Sequence, residues 1–135
     1  MKKERKFLVT LNEHQLMLIA DCLEDLHRFM CGQMDMFNTT SRLESKYSNE
    51  LRGMLKDLKP LVTPELPYRS EYDWCGSECP NRHQQKFIAE TYYLYREIVH
   101  QVINSKGEDM SWNVYRSETL RCEDSGEPIQ IKEIK

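Results

Sequence analysis

Glycine is scarce in this chain, five residues in 135. A phosphate-cradling loop needs several glycines close together, and neither the Walker pattern nor the dinucleotide-binding pattern is present. The G-x-S-x-G elbow of hydrolases and the H-E-x-x-H zinc helix are also missing. Acidic residues are scattered, so no two of them stand out as an acid–base pair. The sequence therefore points away from an enzyme, and nothing in it calls for a cofactor. No apolar run reaches the ~18–20 residues that span a bilayer, and the first residues lack the apolar core of a secretory signal. A basic excess is lacking too. The formal net charge is −3, whereas a bulk nucleic-acid binder carries surplus Lys and Arg to neutralise phosphate. Only the tip, Lys2-Lys3-Glu4-Arg5-Lys6, is basic, and residues 1–5 read as a flexible, solvated end. Five cysteines make no paired, secreted framework, which fits reduced thiols in a cytoplasm.

What is present suits one folded domain over residues 1–135. Apolar residues make up 39% and charged residues 30%, with seven Tyr and two Trp, enough to build a core inside a solvated surface. Phe7-Leu8-Val9-Thr10 is β-prone and is expected to form a strand entering the first helix. Asn12, with Gln15 three residues on, is a capping-box signal. Leu16, Ile19, Leu23, Leu26 and Met30 then recur in steps of three and four, which predicts a helix over 13–30. Gly32 stands where a left-handed residue would stop it. A second, more polar helix is expected over 41–58, with Leu43, Tyr47, Leu51, Met54 or Leu55, and Leu58 as its buried stripe. Pro60 ends it, and an irregular linker follows over 60–79.

The third helix is predicted over 81–103, capped by Asn81. Ile88, Tyr92, Tyr95, Val99 and Val102 form one stripe, and Phe87, Leu94 and Ile98 another. So wide an apolar face needs burial on two sides, either inside one domain or against a second subunit. Beyond it, Trp112-Asn113-Val114-Tyr115 and Ile129-Gln130-Ile131 alternate as strands do. The fold expected is α+β: three helices, two of them long and amphipathic, beside a small antiparallel sheet from the N- and C-terminal strands.

Three clusters carry possible chemistry. Tyr92, Arg96 and His100 fall at i, i+4 and i+8 on one helix face. An aromatic ring, a bidentate phosphate donor and a titratable donor in a row suit a nucleotide, or else Tyr92 is core and the other two form its rim. Arg28, with Gly32 and Gln33, either complements the end of the first helix electrostatically or lines a pocket at its mouth. Cys75, Cys79 and His83 are zinc-type ligands, but their spacing is looser than a zinc knuckle and no fourth ligand follows, so free thiols are the plainer reading.

Four segments carry a resemblance. They are Val9-Thr10-Leu11-Asn12-Glu13-His14-Gln15, Arg28-Phe29-Met30-Cys31-Gly32-Gln33, Tyr92-Tyr93-Leu94-Tyr95-Arg96-Glu97-Ile98-Val99-His100, and a Trp-led end with Ser125-Gly126-Glu127-Pro128-Ile129. In order and spacing the chain resembles small uncharacterised accessory proteins of tailed phages and prophages, which open on V-T-L-T-E-E-Q-like and R-x-x-x-G-Q patterns. The likeness covers both ends and the third helix, not the second helix or the linker, and Cys75 and Cys79 lie outside it. What it implies is a phage accessory protein. Phage proteins of this size include sponges that sequester the nucleotide second messengers of host anti-phage defence. The expectation is then a homo-oligomeric sponge in the host cytoplasm, binding a cyclic dinucleotide or ADP-ribose-type ligand without turnover through Arg28, Gln33, Tyr92, Arg96 and His100. A module that docks a phage or host protein is the alternative, and a nucleotide-processing enzyme is the third.

Overall fold

The computed structural model describes residues 4–64, 81–105 and 117–134. Five helices appear there in chain order: α1 (Glu13–Met30), α2 (Phe37–Thr40), α3 (Ser45–Lys56), α4 (Lys59–Val62) and α5 (Arg82–Ser105). A 3₁₀ turn follows at Glu123–Ser125.

Local chemistry sets the limits of α1. The Asn12 side chain accepts from the Gln15 amide at 2.8 Å and the Gln15 side chain accepts from the Asn12 amide at 3.0 Å, so two otherwise unpaired donors are satisfied reciprocally. At the other end Gly32 takes φ +96°, and the Gln33 amide turns back to the Arg28 carbonyl at 2.8 Å. That reversal needs a residue without a Cβ.

The two long helices, α1 and α5, make the most extensive contact in the described chain. Ala20 of α1 meets Tyr95, Ile98 and Val99 of α5, with Leu16, Leu23, Ile103, Ile129 and Ile131 packed around them. Alanine at the crossing lets the helix backbones approach closely, and the larger side chains fill the space on either side. The C-terminal segment folds back along α5. The Arg82 guanidinium and the Asp124 carboxylate form a two-pronged pair, both contacts at 2.5 Å, which fixes the 3₁₀ turn to the start of α5.

The expected α+β class is not what is found: no strand occurs among the described residues. Residues 7–10 form no strand, and Phe7, Leu8 and Val9 are exposed. Residues 129–131 form no strand but alternate as expected, with Ile129 and Ile131 packed against the core. Their partner is a side chain. Gln101 donates to the Ile129 carbonyl at 2.9 Å and accepts from the Ile131 amide. One carboxamide thus does what a neighbouring strand would do, and no ladder is needed. Trp112–Tyr115 lies outside the described residues.

The second helix also differs. The expected 41–58 segment is divided into α2, α3 and α4. Leu43, Tyr47, Leu51 and Leu58, expected to be buried, are exposed, and of the Met54 or Leu55 alternative Met54 is exposed while Leu55 is half-buried. The side of α3 turned to the body is mostly polar: Ser48 is buried and donates to the Ser45 carbonyl of its own helix at 3.0 Å, Leu55 is half-buried, and Arg52 Nε donates to the Thr40 hydroxyl at 2.8 Å while its guanidinium lies over the Phe37 ring. Polar anchoring of α3 to α2 holds that face, and the apolar stripe is left to solvent.

Candidate functional site

A cleft of about 420 Å³ opens where the C-terminal turns of α1 meet α2 and the end of α3. Glu24, Asp25 and Arg28 line it from α1, Asn38 from α2 and Lys56 from α3. Gln33, Met34, Asp35 and Met36 come from the intervening loop.

Asp25 builds the wall. It is 1% exposed, and its two oxygens accept the backbone amides of Asn38 at 3.1 Å and Thr39 at 2.7 Å. A buried carboxylate is tolerable only when hydrogen-bonded in this way. The donors are the first amides of α2, so a residue of α1 caps a helical turn more than a dozen residues later. Met36 precedes that turn at φ 45°, ψ 52°, a left-handed conformation for a residue with a side chain. The Asn38 side chain donates to the Asp21 carbonyl at 3.1 Å and to the Glu24 carboxylate at 2.9 Å.

Arg28 stands at the mouth. Its Nε and Nη2 both donate to one Glu24 oxygen, at 3.2 and 3.1 Å, and its Nη1 donates to the Gln33 side-chain oxygen at 2.9 Å. Two of the residues singled out from sequence, Arg28 and Gln33, are therefore in direct contact and share the cleft. The Arg28 side chain is half-exposed, so its guanidinium is held in a fixed orientation while remaining accessible. Lys56 approaches Asp35 at 3.9 Å across the other side.

Tyr92, Arg96 and His100 do not line this cleft. They run along α5, with the Arg96 guanidinium 5.7 Å from the Tyr92 ring centre and the Asn104 side chain 3.0 Å from the His100 ring. His27 joins the two groups. Its ring packs on Tyr92 and Tyr95, with centroids 5.4 and 5.6 Å away, and its Nδ1 is 3.0 Å from the Ile88 carbonyl. That contact makes Nδ1 the donor and leaves Nε2 to face the buried Cys31 thiol at 3.9 Å. Burial pushes the His27 pKa below its ordinary value, and the neighbouring Arg28 charge adds to the effect against the opposing Ile88 contact and Glu24.

Cys75 and Cys79 lie outside the described residues. His83 is exposed at the start of α5, and among the described residues no three His, Cys, Asp or Glu side chains come together as a metal set.

Sequence reasoning missed Asp25, Glu24 and Asn38. A signal existed: an acid in the turn of α1 that precedes Arg28, followed by the cap-forming Asn38-Thr39-Thr40. Nothing in the spacing alone says that the cap comes from another helix.

No protein-family model, curated protein or solved structure matches the chain. Among the described residues no helix is long and apolar enough to cross a membrane.

Proposed function

We propose that this chain is a non-catalytic binding protein that holds a small anionic nucleotide in the cleft at Arg28 and Gln33. The observation that carries the reading is the posture of Arg28. Glu24 and Gln33 fix its guanidinium at the mouth of a cleft of ordinary ligand size. An incoming phosphate takes the place of Glu24 on Arg28. That exchanges one charge-assisted contact on Arg28 for another, and the displaced Glu24 carboxylate keeps the Asn38 side chain as its donor. Pre-orientation lowers the entropy lost on binding.

The carboxylates support binding over turnover. Both Asp25 oxygens are committed to backbone amides, and Glu24 is shared between Arg28 and Asn38. Neither is held as a general base beside a nucleophile. The Tyr92–Arg96 pair offers a ring and a second cation for a base and a phosphate. Because that row does not line the cleft, a pocket containing all five residues is completed by the α5 row of another copy. The resemblance to phage accessory proteins supplies the setting: a sponge that sequesters a cyclic dinucleotide or an ADP-ribose derivative of host defence.

The test is a thermal-shift screen of the purified chain against cyclic dinucleotides and ADP-ribose derivatives, with chromatography of the recovered nucleotide. A stabilising ligand recovered intact supports the reading. A converted nucleotide, or no shift with any of them, contradicts it.

A further inference from the structure

We propose that Phe37 is the base-stacking ring of the cleft, so that one copy takes a nucleoside phosphate with its base on Phe37 and its phosphate on Arg28. The inference rests on the reading of the cleft as a nucleotide site and names what that site recognises beyond charge. Phe37 lines the same cleft as Arg28. Of the three apolar residues there, Met34 is buried and Met36 half-buried, while Phe37 is 62% exposed. Burying a phenyl ring is favourable, yet folding has left this one out.

The fold fixes the ring where it stands. Phe37 opens α2 directly after Met36, whose φ of 45° and ψ of 52° lie in the left-handed region that a residue with a Cβ enters at a cost. One buried hydroxyl sustains that turn. Thr40, 2% exposed, shares its proton between the Met36 and Asp35 carbonyls, at 3.0 and 3.1 Å. The same hydroxyl accepts from Arg52 Nε at 2.8 Å, and the Arg52 guanidinium lies over the Phe37 ring, 5.0 Å from its centre. Thr40 thus ties the backbone that carries the ring to the cation behind it. Arg52 does not line the cleft, so the ring face it covers is not the face the cleft meets. A ring backed on one side and open on the other loses little freedom when a base stacks on it.

The acids of the cleft leave room for a phosphate beside that ring. Asp25 accepts two backbone amides, Glu24 accepts from Arg28 and Asn38, and Asp35 faces Lys56 at 3.9 Å. Each carboxylate therefore has a partner that offsets its charge toward an incoming anion. With the first base on Phe37, the α5 row of another copy is left for the far end of a dinucleotide or ADP-ribose ligand.

The test compares adenosine monophosphate with ribose-5-phosphate, which differ only in the base. Stacking tolerates any base, so adenine serves as the probe. Affinities are read by NMR titration of the full-length wild type, F37L, F37W and R28M. The wild type is expected to bind the nucleotide about tenfold more tightly than the sugar phosphate, with the adenine ring protons shifted upfield by the phenyl ring current. F37L is expected to lose about fivefold to tenfold for the nucleotide and nothing for ribose-5-phosphate. F37W should keep both the preference and the upfield shift, and R28M should weaken both probes. Equal loss of both probes in F37L makes the ring a mere support of the cleft and overturns the proposal. A preference that survives in F37L overturns it too, and leaves the Arg28 reading standing if R28M still weakens both probes. A preference that F37L abolishes, with R28M binding as the wild type does, supports the ring and contradicts the Arg28 contact. A wild type that binds neither probe overturns both.

Discussion

Asp25 accepts the backbone amide of Thr39 at 2.7 Å and so ties α1 to the helical turn that forms one wall of the cleft. With 1% exposure, Asp25 has no water to replace its partners; the Thr39 amide also reaches the Met36 carbonyl at 3.1 Å, so the Asn38 amide depends on Asp25 more. Asp25→Ala is expected to destabilise the protein by about 1–3 kcal/mol, the cost of leaving the Asn38 amide without its acceptor. Asp25→Asn keeps one acceptor oxygen and should lose less. Urea unfolding measures both effects, and amide exchange at Asn38 and Thr39 should quicken first, since the wall is released locally.

His27 gives the molecule a pH dependence of known sign. Burial, aided by the Arg28 charge, lowers its folded pKa below 6.5. The unfolded chain then binds the proton more readily than the folded one. Stability from this group is complete above about pH 6.5 and is lost as pH falls through the depressed folded value. An NMR titration of the His27 ring should report a value under 6.5. The urea midpoint should fall between about pH 7 and 5, and His27→Gln should flatten that part of the profile.

Gln101→Ala removes both hydrogen bonds to the backbone of residues 129 and 131. A loss of about 1–3 kcal/mol is expected, with faster exchange at the Ile131 amide. Tyr93→Phe removes the hydroxyl that accepts from the Ile129 amide at 3.2 Å and should act on the same segment. A variant in which Ile131 stays protected would show that this segment is held by burial alone.

Two glycines should behave oppositely. At Gly32 a Cβ would stand 3.0 Å from the Thr63 hydroxyl oxygen, and φ is +96°, so Gly32→Ala should destabilise by more than about 1 kcal/mol. At Gly53, inside α3, a Cβ would meet nothing within 4 Å, and Gly53→Ala should stabilise by about 0.5–1 kcal/mol. Thermal unfolding of both variants checks the pair.

The two long helices were legible because their signals are local. Asn12 with Gln15 caps α1, Gly32 stops it, and the apolar spacing of α5 falls on the core side. The sheet was misread because alternation at Ile129 and Ile131 reports only that one side is buried. It does not report whether the backbone partner is a strand or, as here, Gln101. The α3 stripe was misread for a related reason. Spacing shows which face is apolar, while Ser48 and Arg52 decide which face meets the body. At the site, Arg28 and Gln33 were legible from their place at the end of a helix. Asp25 was not, because the turn it caps is distant in sequence.

Calorimetry on the wild type and Arg28→Met tests the central claim most directly. The account predicts that one nucleotide among the cyclic dinucleotides and ADP-ribose derivatives binds the wild type. Arg28→Met should weaken that binding by about 10- to 100-fold, the worth of a charge-assisted hydrogen bond to an anion, and leave stability within about 1 kcal/mol, as for an exposed ion pair. Equal affinity in the two proteins, or no heat from any of these ligands with the wild type, would contradict it.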